Sequence, residues 1–455
     1  MSLKILNLLF HSKTTPSSVL RAVEPFTAII EEKEFCKIVD YLDIANNFDT
    51  DIFENIDIVI LNRDIPNIIS QLITEYCKSK KIKVFYEMDD NLINVPITHP
   101  FYFFYNKLKN KLILILKAVD GIIVSTQELK KYYQKFNNNI FVYENLLPKE
   151  ILEYSSKSTE NSNPKIIIGY SGSLSYYKDT VVMFKVWLKI GFRIIGPLRP
   201  FMNSKDVCNK NIMLSVNSQN YITDIPIEYI DGVENYYDYL KILSANRFDI
   251  GFSPLINNRF NNCKSNIKYL EYSIFNIYGL YSDLTPYNNI ESKYIEKING
   301  LSINEWYNKT LETIENYSFV KKKTNAIREY VHKNFCITNR KDVILKYINW
   351  LKKTEINNNF FYEKFDKNSR ILIWGLGNYG KYCYNLLKNF GFNNLAFIDS
   401  NKDKINENNR YEVYLSTELK NIDFDKIIIA SYTYFSEIFK QIAAIDKKFE
   451  NKICL

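Results

Sequence analysis

The chain has 455 residues, of which 46% are hydrophobic and 24% charged, so it is long enough for two or three folded domains and far from a disordered composition. A net charge of +8 is spread over the whole length, with no run of five or six basic residues, so nucleic acid is not indicated as a partner. Seven cysteines without a C-x-x-C pair, and only 3 histidines, give no metal-ligand spacing, and no apolar run is long enough to cross a bilayer.

The odd cysteine count and the absence of a signal-peptide pattern predict reduced thiols and a cytoplasmic protein. Residues 4–10 read as a buried first strand ending in a loop of turn and capping residues. Strand-like runs recur at 36–40, 56–61, 83–87, 121–125 and 140–144, with amphipathic helices between them, such as 65–78 and 126–136. Alternation of this kind predicts a doubly wound parallel sheet over residues 1–155, with ligands gathering at the carboxyl ends of its strands.

Three features sit at those ends: His11 after the first strand, Arg21 on the following helix in PSSVLRAVEP, and Asp89-Asp90 after the fourth strand in YEMDDNLINVPITHP. Paired carboxylates raise each other's pKa and can serve as a base. They can equally cap the next turn. His99 follows, then the aromatic string FYFFY at 101–105, which reads either as core or as a surface dipping toward a lipid-linked acceptor. The polar stretch 155–163 reads as a linker.

A second α/β unit spans 164–355. Its first strand, 165–170, runs into Ser171-Gly172-Ser173, where small residues would let backbone N–H groups approach an anion. Further strands are expected at 192–197, 227–230, 248–252 and 278–281, and helices at 236–243, 304–318, 321–333 and 340–351. The strand before Ser253-Pro254 leads into FSPLINNRFNNCKSNIKYLEYSIF. Asn261 and Asn262 are candidate helix caps, and Ile267, Leu270 and Ile274 make a buried stripe. Lys264, Lys268 and Glu271 share another face. Lysines at a helix start oppose the positive end of its dipole, and a bound anion would turn that cost into attraction. Glu271 could then accept from sugar or ribose hydroxyls, and the bland alternative is a solvated Lys/Glu face.

Residues 365–455 form a third segment. The strand 369–374 meets Gly375, Gly377 and Gly380 in a G-x-G-x-x-G unit that opens a helix, and a second strand ends at Asp399. The glycines permit close backbone approach to phosphate, and the acidic residue suits ribose hydroxyls. NAD or another nucleotide is therefore a candidate ligand of this module, and a structural or assembly module without a ligand is the alternative.

These strings resemble bacterial glycosyltransferases of the two-Rossmann GT-B architecture, in particular the branch of O-antigen and capsule synthesis. PL…FN.CKS.IKYLEY, PSS..R…P and DDNL..VP..HP carry the resemblance, which covers most of residues 1–350. The small module with GxGNYGK…FIDSN…IIIAS resembles Rossmann-like modules appended to polysaccharide-synthesis enzymes. The resemblance implies two Rossmann-like domains facing across a cleft, with a small α/β domain appended. It also implies transfer of a sugar, with retention, from a nucleoside-diphosphate sugar to a glycan or lipid-linked acceptor, without a metal. Pro254, Asn261, Lys264, Ser265, Gly172 and Ser173 would then hold the donor. Lys178, Lys268, Glu271, Asp89 and Asp90 would be catalytic, and His11, Arg21 and His99 would face the acceptor. Peripheral contact with the inner membrane face and with other synthesis enzymes is compatible with this reading. One departure stands out: where many GT-B enzymes carry the first of two glutamates, this chain has Cys263. An NAD-dependent sugar-nucleotide epimerase or reductase, and a non-catalytic sugar-nucleotide-binding or assembly protein, remain the alternatives.

Overall fold

The computed structural model describes residues 3–30, 35–46, 50–63, 67–156, 166–172, 179, 192–195, 227–230, 233–246, 248–359, 366–401, 403, 410–431 and 434–454. Its architecture is α/β, built on three parallel sheets. The first contains β1 (Lys4–Leu8), β2 (Phe35–Val39), β3 (Ile58–Asn62), β4 (Lys83–Met88), β5 (Gly121–Val124) and β6 (Ile140–Val142), in the order β2-β1-β3-β4-β5-β6. These strands are apolar runs because helices cover both faces of a parallel sheet. The sheet's order reverses between β1 and β3, and polar chain gathers at that end: the loop after β1, then Arg63, Asp89 and Asp90.

The second sheet holds β7 (Ile168–Ser171), β8 (Phe192–Ile195), β9 (Ile227–Ile230), β10 (Ile250–Ser253), β11 (Tyr278–Ser282) and β12 (Glu296–Ile298). Its order is β12-β11-β10-β7-β8-β9, the Rossmann arrangement, with its switch point between β7 and β10. Ligands of open α/β sheets bind at such points. Here that places Gly172 and the chain after Ser253 side by side. The two lobes face each other across a cleft, which is the GT-B fold. The chain crosses between them where Leu147 pairs with Cys336. The last helix of this part, Lys341–Lys353, then returns to the first sheet, where Ile344, Tyr347, Ile348 and Leu351 are buried with Ile5, Ile58 and Phe85. Trp350 seals it, donating from Nε1 to Asn139 at 2.9 Å.

The third sheet comprises β13 (Ile371–Trp374), β14 (Leu395–Asp399), β15 (Val413–Leu415), β16 (Lys426–Ile429) and β17 (Ile453–Cys454), in the order β15-β14-β13-β16-β17. Its helix Asn378–Asn389 packs against the first lobe's helix Tyr41–Asn46, and Asn385 donates to the Ile44 carbonyl at 2.9 Å. The aromatic string at 101–105 also meets this module. Phe104 stands edge-on to Phe435 at 4.9 Å, and Phe103 to Phe439 at 5.1 Å. Of the two readings of that string, packing inside the protein therefore accounts for Phe103 and Phe104.

Candidate functional site

A cavity of about 510 Å³ lies between the first two sheets. The first lobe contributes Thr15, Ser17, Arg21, Asp89, Asp90 and Asn145. The second contributes Tyr170, Gly172, Asp179, Tyr236, Tyr239, Ser253, Pro254, Lys264, Ser265, Ile267, Lys268, Glu271 and Tyr287.

The segment after Ser253 folds differently from the single helix that periodicity suggests. Arg259–Asn262 is a short helix of its own, capped by Asn258, whose Oδ1 accepts from the Asn261 N–H at 2.8 Å. A break follows at 263–266, and the second helix is Ile267–Ile274. Asn261 and Asn262 are thus not N-caps. A short asparagine side chain one turn earlier has the extended backbone that capping requires. The break puts Lys264 and Ser265 in a loop at the cavity wall and Lys268 in the first turn of the helix. Ile267 turns toward the cavity, whereas Leu270 and Ile274 are buried.

Glu271 is only 3% exposed. Tyr236 donates to its Oε1 at 3.0 Å and Tyr239 to its Oε2 at 3.1 Å, and Lys268 Nζ lies 3.5 Å from Oε2. Gly172 has φ +125°, in the left-handed region, and a Cβ there would stand 2.5 Å from Lys268 Nζ. A side chain there would be strained by the backbone and would push the lysine ammonium aside. Lys264 is pushed below the ordinary lysine range, first by burial, although Asp90 and Asp179 pull it back up. Asp179 lay outside the predicted set. It lines the cavity and is held by the Ile256 N–H at 2.9 Å and the Asn261 amide at 3.1 Å. Asn261 itself acts behind the wall. Ser173 and Lys178 lie outside the described residues.

On the first lobe, Asp89 accepts on both oxygens: Ser17 donates to Oδ2 at 2.8 Å and Arg63 to Oδ1 at 2.6 Å. The same Arg63 nitrogen donates to Asp90 Oδ2 at 2.9 Å. Asp90 is raised above the usual carboxylate range by burial and by the neighbouring Asp89 charge, against the pull of Arg63 and Lys264. Arg63 carried no functional reading in the sequence, because a lone arginine after a strand has no signature. Below the pair, Arg21 donates from Nε to Glu87 at 2.7 Å and from Nη1 to Asn145 at 3.0 Å. It sits in a π-helical stretch, Val19–Val23. Burial outweighs the Arg21 charge at Glu87 and pushes its pKa up to about 7. Asn145 spans the lobes, donating to Ser265 Oγ at 3.0 Å.

The remaining candidates sit elsewhere. His11 packs edge-on against Phe10 at 5.6 Å. His99 accepts from the Phe101 N–H and packs against Tyr105 and Phe260. Neither ring lines the cavity. Cys263, at the position of the missing glutamate, does not line it either. It is buried between the lobes, where Asn91 donates to its sulfur at 3.4 Å and Thr126 to its carbonyl at 2.9 Å. Burial pushes the thiol up to about 11.

In the third module, Gly375 has φ +114°, and Gly380 has no room for a Cβ beside the Gly375 carbonyl. Asp399 accepts from the Leu376 N–H of the glycine turn and from the Asn401 N–H of its own loop, at 2.9 Å each. The predicted ribose acceptor thus ties the end of β14 to the glycine turn. Among the described residues no cluster of His, Cys, Asp or Glu could hold a metal ion, and no helix is long and apolar enough to cross a membrane.

Two parallel sheets facing across a cleft, with a basic loop and helix head on one wall and paired carboxylates on the other, define the GT-B class of fold. Solved structures agree at this level. The chain is similar to an alpha-glucosyltransferase in complex with UDP and a 13-mer DNA, at 13% identity and a TM-score of 0.52 over 76% of this chain and 100% of that one. It is similar to sucrose-phosphate synthase from Thermosynechococcus elongatus, at 9% identity and a TM-score of 0.55 over 77% of this chain and 98% of that one. Anabaena Alr3699/HepE, in complex with UDP and glucose, gives 10% identity and a TM-score of 0.53 over 77% and 100%. At these identities the likeness is one of fold. A family model described as C2185-like, N-terminal, matches residues 367–454, which carry the third sheet. Among curated proteins, RING finger protein PFE0100w of Plasmodium falciparum is 26% identical over 379 residues, 77% of this chain. The chain spans 26% of that relative's length.

Proposed function

We propose that the protein is a glycosyltransferase that moves a sugar from a nucleoside-diphosphate sugar to an acceptor hydroxyl. The observation that carries this reading is the meeting of Lys264, Lys268 and Glu271 with Asp89 and Asp90 around one cavity at a Rossmann switch point. The UDP named for two of the similar folds points the same way.

In this reading the diphosphate lies against the head of helix Ile267–Ile274, with Lys264, Lys268 and the turn at Gly172. Free N–H groups and ammonium charge at that place offset the negative charge that develops as the C1–O bond to the diphosphate breaks. These cations do the work that a divalent ion does in other transferases. Glu271 holds donor hydroxyls. Asp90 keeps one oxygen outside its contact with Arg63, whereas Ser17 and Arg63 each take one oxygen of Asp89. It orients the acceptor hydroxyl and takes up its proton as the new C1–O bond forms. The resemblance adds finer expectations: a hexosyl donor, retention at the anomeric carbon, and a glycan or lipid-linked acceptor in surface-polysaccharide synthesis at the cytoplasmic side of a membrane.

The test is a panel of nucleotide sugars screened by thermal shift, since a ligand of the folded state raises its apparent stability. Hits are then followed for hydrolysis and transfer, and the product anomer is read by NMR. A raised midpoint with sugar release supports the proposal. A panel that binds nothing contradicts it, and binding without turnover favours the non-catalytic alternative.

A further inference from the structure

The helix Tyr236–Ala245 begins with a turn that touches both lobes. Its capping residue, Asn235, accepts from the Tyr237 and Asp238 N–H groups, which fixes the turn's geometry. Tyr236 and Tyr239 lie on one face, with ring planes 20° from parallel and centroids 6.0 Å apart. Their hydroxyls meet the two oxygens of Glu271, at 3.0 and 3.1 Å. Tyr239 also lies 2.9 Å from Ser171 Oγ, at the end of β7. Tyr237 points the other way, to the opposite lobe, and donates to Glu24 at 2.6 Å. The Tyr236 N–H donates to the Thr14 carbonyl at 2.7 Å, in the loop that follows β1.

We infer that Tyr236 and Tyr239 are positioning residues of Glu271, and that the opposite lobe sets their turn through Tyr237–Glu24 and Thr14. The inference rests on the proposed role of Glu271 at the donor. A carboxylate pinned by two phenols keeps its remaining lone pairs aimed at the cavity, so a hydroxyl arriving there meets an acceptor already in place. The phenol hydrogens stand on rigid rings with two torsions each, so little entropy is lost in holding them. When the lobes part, Tyr237 and Thr14 release the turn, and Glu271 loses the framework that aims it.

The experiment uses the full chain with spin labels at two exposed positions on opposite lobes, Asn106→Cys and Asn308→Cys. Electron-electron distances and UDP affinity by calorimetry are measured for the parent, Tyr237→Phe, Glu24→Gln, the double variant and Tyr239→Phe. Phenylalanine keeps each ring and deletes only the hydroxyl. Tyr237→Phe and Glu24→Gln should each lengthen or broaden the inter-lobe distance and weaken UDP roughly tenfold, and the double variant should add nothing further. Tyr239→Phe should weaken UDP by a similar factor and leave the distance alone. Distances and affinities equal to the parent's overturn the inference. So does a changed distance with unchanged UDP affinity. A parent that does not bind UDP overturns the transferase reading instead, while the distance measurement still decides whether Tyr237 and Glu24 hold the lobes.

Discussion

Tyr379 lies flat on Tyr41, with ring centroids 4.5 Å apart and planes 20° off parallel. Tyr379 is the fifth residue of the glycine motif of the third module, and Tyr41 belongs to the first lobe. Phe10 completes the contact at 4.8 Å from Tyr379. The helix that in a dinucleotide site opens onto pyrophosphate is here engaged with a neighbouring lobe.

Tyr379→Ala should therefore destabilise the protein by about 1–3 kcal/mol, the value of a half-buried ring and its aromatic partners. The loss should appear as a lower urea midpoint. Saturating NAD should leave that midpoint unchanged in the parent chain, because Tyr379 engages the glycine motif's helix with the first lobe.

Asp90→Asn should lower the transfer rate roughly 10²–10⁴-fold, the range for loss of a positioned base, with UDP affinity retained. Asp89→Asn should cost less, since Asp89 acts by holding Arg63 and Ser17. Asp90 works as the ionised form and its pKa is raised, so activity should fall as pH drops through a point above the usual carboxylate range. Arg63 lowers the Asp90 pKa, so Arg63→Gln should shift that acid limb to higher pH. A limb that stays in place in Arg63→Gln contradicts the assignment.

Glu87 gives a stability prediction of opposite sign to an ordinary ion-paired carboxylate. Burial pushes its folded pKa up to about 7, above the ordinary carboxylate range, so the folded state binds the proton more tightly. Its contribution is complete below the unfolded pKa and is lost as pH rises through 7. Thermal midpoints should fall from pH 5 to pH 8, and Glu87→Gln, which keeps the shape without the charge, should flatten that slope.

Much of the fold was legible because buried parallel strands are short apolar runs, and the first sheet's six runs stand out as such. The basic wall of the cavity was legible from charge placed at a helix start. The break at 263–266 was not, because periodicity carries through Lys264 as if the helix were continuous. Cys263 could not be read as an inter-lobe packing residue, since its partners Asn91 and Thr126 lie far away in sequence. Arg63 and Asp179 escaped for the same reason: their contacts arise from residues that the chain brings together only once both sheets have formed.

Gly172→Ala should damage the donor wall without removing any functional group. The left-handed backbone costs about 1–3 kcal/mol for a residue with a Cβ, and that Cβ would displace Lys268 Nζ. KM for the donor should rise more than kcat falls. A change confined to stability, with unaltered donor KM, contradicts the shared-space argument.

The most direct measurement is calorimetric titration of UDP into the full chain and into Lys268→Ala, with circular dichroism to establish that both are folded. The account predicts saturable one-site binding that Lys268→Ala weakens roughly tenfold or more, as loss of a charge-assisted contact to phosphate requires. Equal affinity in the two folded proteins, or no binding in the parent, would contradict a diphosphate site at this helix head.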